Sequence, residues 1–156
     1  MDNPAAPVRV GGYDTSGRAY GVAVAGGYAY VADDWAGLQV IDVRNPAAPA
    51  RVGGYDASGN AFGVAVAGGY AYVADGDAGL QVIDIRNPAS PVRVGGYDTS
   101  GRAEGVAVSG NYAYVADFEC GLQIFRIEGA TPVDAGALTV SIGPLKALTA
   151  GAQWRR

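Results

Sequence analysis

Hydrophobic positions in this chain fall in short runs separated by Gly, Asp, Asn and Pro, and the runs follow one another in a fixed order. Ala19-Tyr20-Gly21-Val22-Ala23-Val24-Ala25 is apolar on both faces, the pattern of a fully buried strand. Gly26-Gly27 is a hairpin turn pair. Tyr28-Ala29-Tyr30-Val31-Ala32 follows, closed by Asp33-Asp34-Trp35-Ala36-Gly37. Leu38-Gln39-Val40-Ile41-Asp42-Val43 reads as a third strand, ended by Asn45-Pro46-Ala47-Ala48-Pro49. The fourth, Arg51-Val52-Gly53-Gly54-Tyr55, is the most polar and glycine-rich and suits a solvent-facing outer edge. No stretch sustains a 3.6-residue period, so no helix is expected.

This unit recurs. Asn3–Arg44 returns as Asn45–Arg86 and again as Asn87–Glu128, a period of 42 residues without insertion or deletion, and residues 129–156 leave the pattern. Four antiparallel strands in roughly 40 residues, ordered from most buried to most exposed, describe a β-propeller blade. A β-solenoid, the other repeat architecture weighed, uses roughly 20–30 residues per turn. The expected fold is therefore all-β: a propeller array over residues 3–128 with one blade per repeat (3–44, 45–86, 87–128), followed by a tail, 129–156.

The segments Gly37-Leu38-Gln39-Val40-Ile41-Asp42-Val43 and Gly79-Leu80-Gln81-Val82-Ile83-Asp84-Ile85, each preceded by Tyr-Ala-Tyr-Val-Ala-Asp and followed by Asn-Pro, resemble the LVIVD repeat. The resemblance implies a propeller-forming bacterial or archaeal protein, of a family often found at the cell surface or secreted, with no assigned biochemical role. In the third copy Ile124-Phe125-Arg126-Ile127-Glu128 departs from that motif and Asn-Pro is lost, as expected of a terminal repeat. The tail segments Gly136–Pro144 and Gly151–Arg155 are similar to the opening of a β-rich module that follows repeat arrays in bacterial surface proteins. Met1–Pro4 shows no basic region followed by an apolar core, so no secretory signal is read there, and the compartment stays open.

The phase of the repeat carries the sharpest expectation. The chain opens on an orphan outer strand, Val8-Arg9-Val10-Gly11-Gly12-Tyr13, while the third blade lacks one. Rings start at ~4 blades, so three cannot close alone. An open arc would expose apolar blade faces and a bare strand edge. A homodimer solves both problems as a six-bladed ring with exchanged outer strands; a nine-bladed trimer is the other closed solution. Alternatively the tail pairs as the missing strand through Ala137–Ile142, which competes with exchange and leaves the ring open.

Composition narrows the chemistry. Twenty-five glycines (Gly 25) beside ten tyrosines fit a turn-rich β protein rather than a disordered one. A net charge of −4 argues against nucleic acid or an anionic membrane as partner, and no apolar run approaches the ~20 residues of a membrane helix. The chain has no histidine, which removes His-based triads, His general bases and His metal sites, and the lone Cys120 permits no internal disulfide. Ser16, Ser58 and Ser100 have no His partner, and Glu119 beside Cys120 disfavours a thiolate. No catalytic residue, cofactor or metal is assigned. Asp75-Gly76-Asp77 is only a fragment of a calcium loop. Asp33, Asp75 and Asp117 are read as turn residues accepting backbone N–H bonds, and Asp14, Asp56 and Asp98 likewise as turn formers.

Where near-identical copies differ, the difference is informative. Arg18/Asn60/Arg102, Tyr20/Phe62/Glu104 and Asp34-Trp35-Ala36/Gly76-Asp77-Ala78/Phe118-Glu119-Cys120 all fall in or beside the loops that precede the first strand or join the second and third. The candidate ligand surface is Arg18, Tyr20, Trp35, Asn60, Phe62, Asp77, Arg102, Glu104, Phe118 and Glu119, with aromatic and charged groups able to anchor a peptide or stack on a sugar. Loops also drift without selection, the plainer reading of the same variation. The expected function is a non-catalytic binding or scaffold module for another protein; a lectin-like propeller and a carboxylate-dependent hydrolase or lyase are the alternatives.

Overall fold

The computed structural model describes residues 3–128 and 141–144. Three four-stranded antiparallel sheets succeed one another along the chain. The first holds β1 (Gly21–Ala25), β2 (Tyr28–Ala32), β3 (Leu38–Asp42) and β4 (Ala50–Tyr55). The second holds β5 (Gly63–Ala67), β6 (Tyr70–Ala74), β7 (Leu80–Asp84) and β8 (Val92–Tyr97). In the third, β9 (Gly105–Ser109), β10 (Tyr112–Ala116) and β11 (Leu122–Glu128) are completed by β12 (Ser141–Pro144). Among the described residues the only helical turn is a 3-10 turn at Phe118–Cys120.

Local chemistry sets each sheet. Gly26 and Gly27 sit at φ 57° and 83°, and Gly68 and Gly69 at 57° and 82°, the paired left-handed conformations of a two-residue hairpin turn. The registers of β3 with β4 and of β7 with β8 shift at the same place, between Val40 and Ile41 and between Val82 and Ile83. This bulge falls on the glycine-containing outer strand. At Gly53 a side chain is excluded outright, because a Cβ there would lie 2.3 Å from the Pro88 carbonyl oxygen of the next blade.

Neighbouring blades bury their faces against each other. Tyr30, Leu38 and Val40 of the first blade pack on Ala61, Val64, Ala71, Val73, Ile83 and Ile85 of the second. Tyr70, Leu80 and Val82 of the second repeat the joint against Ala103, Ala113, Val115, Phe125 and Ile127 of the third. Each fully buried side chain of this kind contributes roughly 1.5–3 kcal/mol. One two-residue bridge staples each joint at the loop end: Asp34 with Ala61, and Gly76 with Ala103.

The ends of the arc depart from the repeat pattern. The first inner strand, expected buried on both faces, leaves Val22 64% and Val24 66% exposed, whereas the counterpart of Val22, Val64, is only 9% exposed and that of Val24, Val66, is half-buried. No described blade precedes β1 to cover it. Val8–Tyr13, expected as an outer strand, pairs with no described strand. It nevertheless lies in the outer-strand position against the first blade. A Cβ on Gly11 would meet the Pro46 carbonyl oxygen at 1.9 Å, the same contact that Gly53 makes with Pro88. The tail does supply an outer strand to the third blade, at Ser141–Pro144; of the stretch expected to do so, 137–140 lies outside the described residues.

Candidate functional site

At the loop end of the blades, turn chemistry places the variable side chains. Asp33, Asp75 and Asp117 are fully buried. Each accepts a backbone N–H from the loop before the inner strand, from Gly17 at 2.9 Å, Gly59 at 3.1 Å and Gly101 at 3.0 Å. The expected role as backbone acceptors holds, with the donor on a distant loop rather than in the aspartate's own turn. These bonds clamp the two loops of one blade together and so fix the residues between them. Thr15 and Thr99 add a hydroxyl bond of 2.6 Å to Asp33 and Asp117. The second blade has Ala57 instead, and Asp75 Oδ1 is left buried without a partner. Burial accordingly pushes the Asp75 carboxyl up to about 6, opposed by the Gly59 N–H.

Two groups of the variable side chains come together. In the first, Asn60 Nδ2 donates to Asp34 Oδ1 at 2.7 Å across the joint, and the exposed Arg18 guanidinium stands 3.5 Å from Asp34 Oδ2. In the second, Tyr20 meets Phe62 edge-on at 5.1 Å between ring centres. Arg102 stacks over the other side of the joint, 4.7 Å from the Phe62 ring centre, with its Nε 3.9 Å from Glu104. The result is a row running across three blades: an aromatic pair, a cation and a carboxylate.

Trp35, Asp77, Phe118 and Glu119 stand exposed beside these groups without joining either. Asp34 belongs to the site although only its loop was singled out from the sequence. Its signal was there: a carboxylate stands where the other two copies have Gly76 and Phe118. Asp34 and Phe118 also share an uncommon backbone, φ 56° and 46°, with Gly76 at 57°. Among the described residues no group of three or more Cys, Asp and Glu is arranged to hold a metal ion.

Blade by blade, the frame is the repeat itself: the LVIVD repeat model matches residues 16–57, 58–99 and 100–127. The chain belongs to the LVIVD repeat family. The first two LVIVD matches each enclose one complete blade, from the loop before the inner strand to just past the outer one. The third LVIVD match stops within β11, so β12 lies outside the repeat. Within this family frame, the side chains that build the row are all ones that differ between copies. No curated protein matches the chain.

Proposed function

We propose that this LVIVD protein is a non-catalytic binding module whose loop face grips a segment of another protein. The observation that supports it is the continuity of the row. Tyr20, Phe62, Arg102 and Glu104 come from three repeats that are otherwise nearly identical, and their differences create one mixed aromatic and charged surface. Such a surface offers stacking, a cation and an acceptor in sequence, the recurrent chemistry of protein-binding hot spots. The test is selection of phage-displayed random peptides on the folded protein. Selected peptides should lose binding to the Tyr20→Ala and Arg102→Ala variants. Peptides that bind these variants equally well would place recognition elsewhere, and hits confined to a glycan array would favour a lectin.

The propeller closes, on this proposal, as a six-bladed ring of two chains. The two ends of the arc are halves of the joint that the chain already makes twice. The αL residue Phe118 occupies the place from which Asp34 and Gly76 bridge to the next blade. Ala19, exposed at the other end, is the counterpart of the buried Ala61 and Ala103 that receive those bridges. Charge agrees with this pairing. Phe62 is met by Arg102 of the following blade, so Glu104 would be met by Arg18 of the second copy.

A further inference from the structure

The outer edge of the third blade is contested ground. β12 pairs only with Phe125, Arg126, Ile127 and Glu128, and leaves the start of β11 without an outer neighbour among the described residues. Leu122 is 63% exposed and Ile124 40%, where Leu38, Val40, Leu80 and Val82 are wholly buried. In the complete blades this stretch is covered by β4 or β8, in the pairs Leu38 with Tyr55, Gln39 with Gly54, Val40 with Gly53, Ile41 with Arg51 and Asp42 with Ala50. Arg51 and Arg93 each donate through Nε to the Gln39 or Gln81 side-chain oxygen. Gln123, their third counterpart, bonds only the Cys120 carbonyl among the described residues.

The missing partner is already shaped at the other end of the chain. Arg9 folds over Gly12, so that a Cβ there would lie 2.5 Å from its Nη2; Arg51 over Gly54 and Arg93 over Gly96 give 2.6 Å each. The N-terminal segment thus holds the posture of an outer strand, arginine included, without a strand to pair with. It also roofs a cavity of about 340 Å³ on the end face of the first blade, lined by Val10, Tyr13, Val31, Ile41 and Val43 among others. In the internal joints that space is filled by the preceding blade's Leu and Val of the third strand.

We propose, building on the six-bladed ring above, that Val8–Tyr13 of one chain docks on β11 of a second copy and displaces β12. The register follows from the internal blades: Tyr13 opposite Leu122, Gly12 opposite Gln123, Gly11 opposite Ile124, Arg9 opposite Phe125 and Val8 opposite Arg126. Arg9 then bonds Gln123 of the second copy, and Leu122 and Ile124 enter the cavity. Both occupants need Phe125 and Arg126, so the tail strand and the exchanged strand exclude each other. The tail is a built-in competitor that holds the edge of the single chain and sets the strength of the dimer.

Dilution light scattering on full-length variants tests this. Ile142→Pro, which breaks β12 by removing an amide and its strand geometry, should tighten the dimer about tenfold, as expected for losing a few competing cross-strand pairs. Arg9→Ala and Gln123→Ala should each weaken it roughly fivefold, and the double variant no further than either alone, as for groups bonded to each other. A dimer that Ile142→Pro weakens or leaves unchanged would overturn the competition while leaving the ring intact. Indifference to both Arg9→Ala and Gln123→Ala would overturn the exchange register. Full-length and Ile142→Pro chains that are both monomeric would overturn the ring itself.

Discussion

Asp75 differs from Asp33 and Asp117 by one absent hydroxyl, and that difference is large enough to measure. All three carboxylates are buried, but Ala57 takes the place of Thr15 and Thr99, leaving Asp75 Oδ1 unsatisfied. Ala57→Thr should supply the bond; a hydrogen bond to a charged group contributes ~1.5–3 kcal/mol. The melting temperature should rise by about 5 °C, as scaled for a chain of this size. The sign of the pH dependence follows from the raised carboxyl. The folded protein keeps the Asp75 proton up to about 6, while the unfolded chain releases it near 3.8. The folded state binds more protons in that window, so its contribution to stability declines as pH rises from about 4 to 6 and stays low above. Ala57→Thr should flatten the decline, read by thermal melts at several pH values. The repeat shows Ala57 against Thr15 and Thr99, but not what that difference does to Asp75. Asp75 sits in an unchanged Tyr-Ala-Tyr-Val-Ala-Asp run, and its partner lies sixteen or more residues earlier on a loop that only folding brings near.

At the scale of the strand, period and turn chemistry were enough to read β1 to β11 from the sequence, since each is bounded by Gly-Gly, Gly-Asn, Asp or Asn-Pro signals. Two features were not legible. The exposure of Val22 and Val24 depends on which blade stands next to β1, a property of neighbours rather than of the strand. The tail strand, expected at Ala137–Ile142, pairs at Ser141–Pro144, because no repeat fixes register there. Glycine on the outer strand has a reason that the sequence shows only as recurrence. Gly53→Ala drives a Cβ into the Pro88 carbonyl, a backbone atom that cannot turn aside. The variant should lose about 3 kcal/mol or more, the upper end for overpacked cores, whereas Gly68→Ala meets open space and pays only for its left-handed turn, about 1–2 kcal/mol. Urea melts of the two variants compare the effects directly; equal losses would show that the outer strand does not seat against the next blade.

For the molecule as a whole, the candidate surface was half legible: copy-to-copy variation pointed to Arg18, Tyr20, Asn60, Phe62, Arg102 and Glu104, but their grouping into two contacts across the joints required the fold. The same contacts, carried one joint further, give the ring an electrostatic test. Glu104→Lys should weaken the dimer by setting a lysine against Arg18 of the second copy, and adding Arg18→Glu should restore it, both read from dissociation on dilution. Failure of the second change to rescue would remove Glu104 and Arg18 from the closing joint. Ring closure by two chains is read from the absolute mass in solution, by light scattering coupled to size exclusion over a range of concentrations. The ring requires a species of twice 15.8 kDa that gives way to monomer only on dilution. A trimer, or a chain that stays monomeric at every concentration both as full length and as Ile142→Pro, would contradict it.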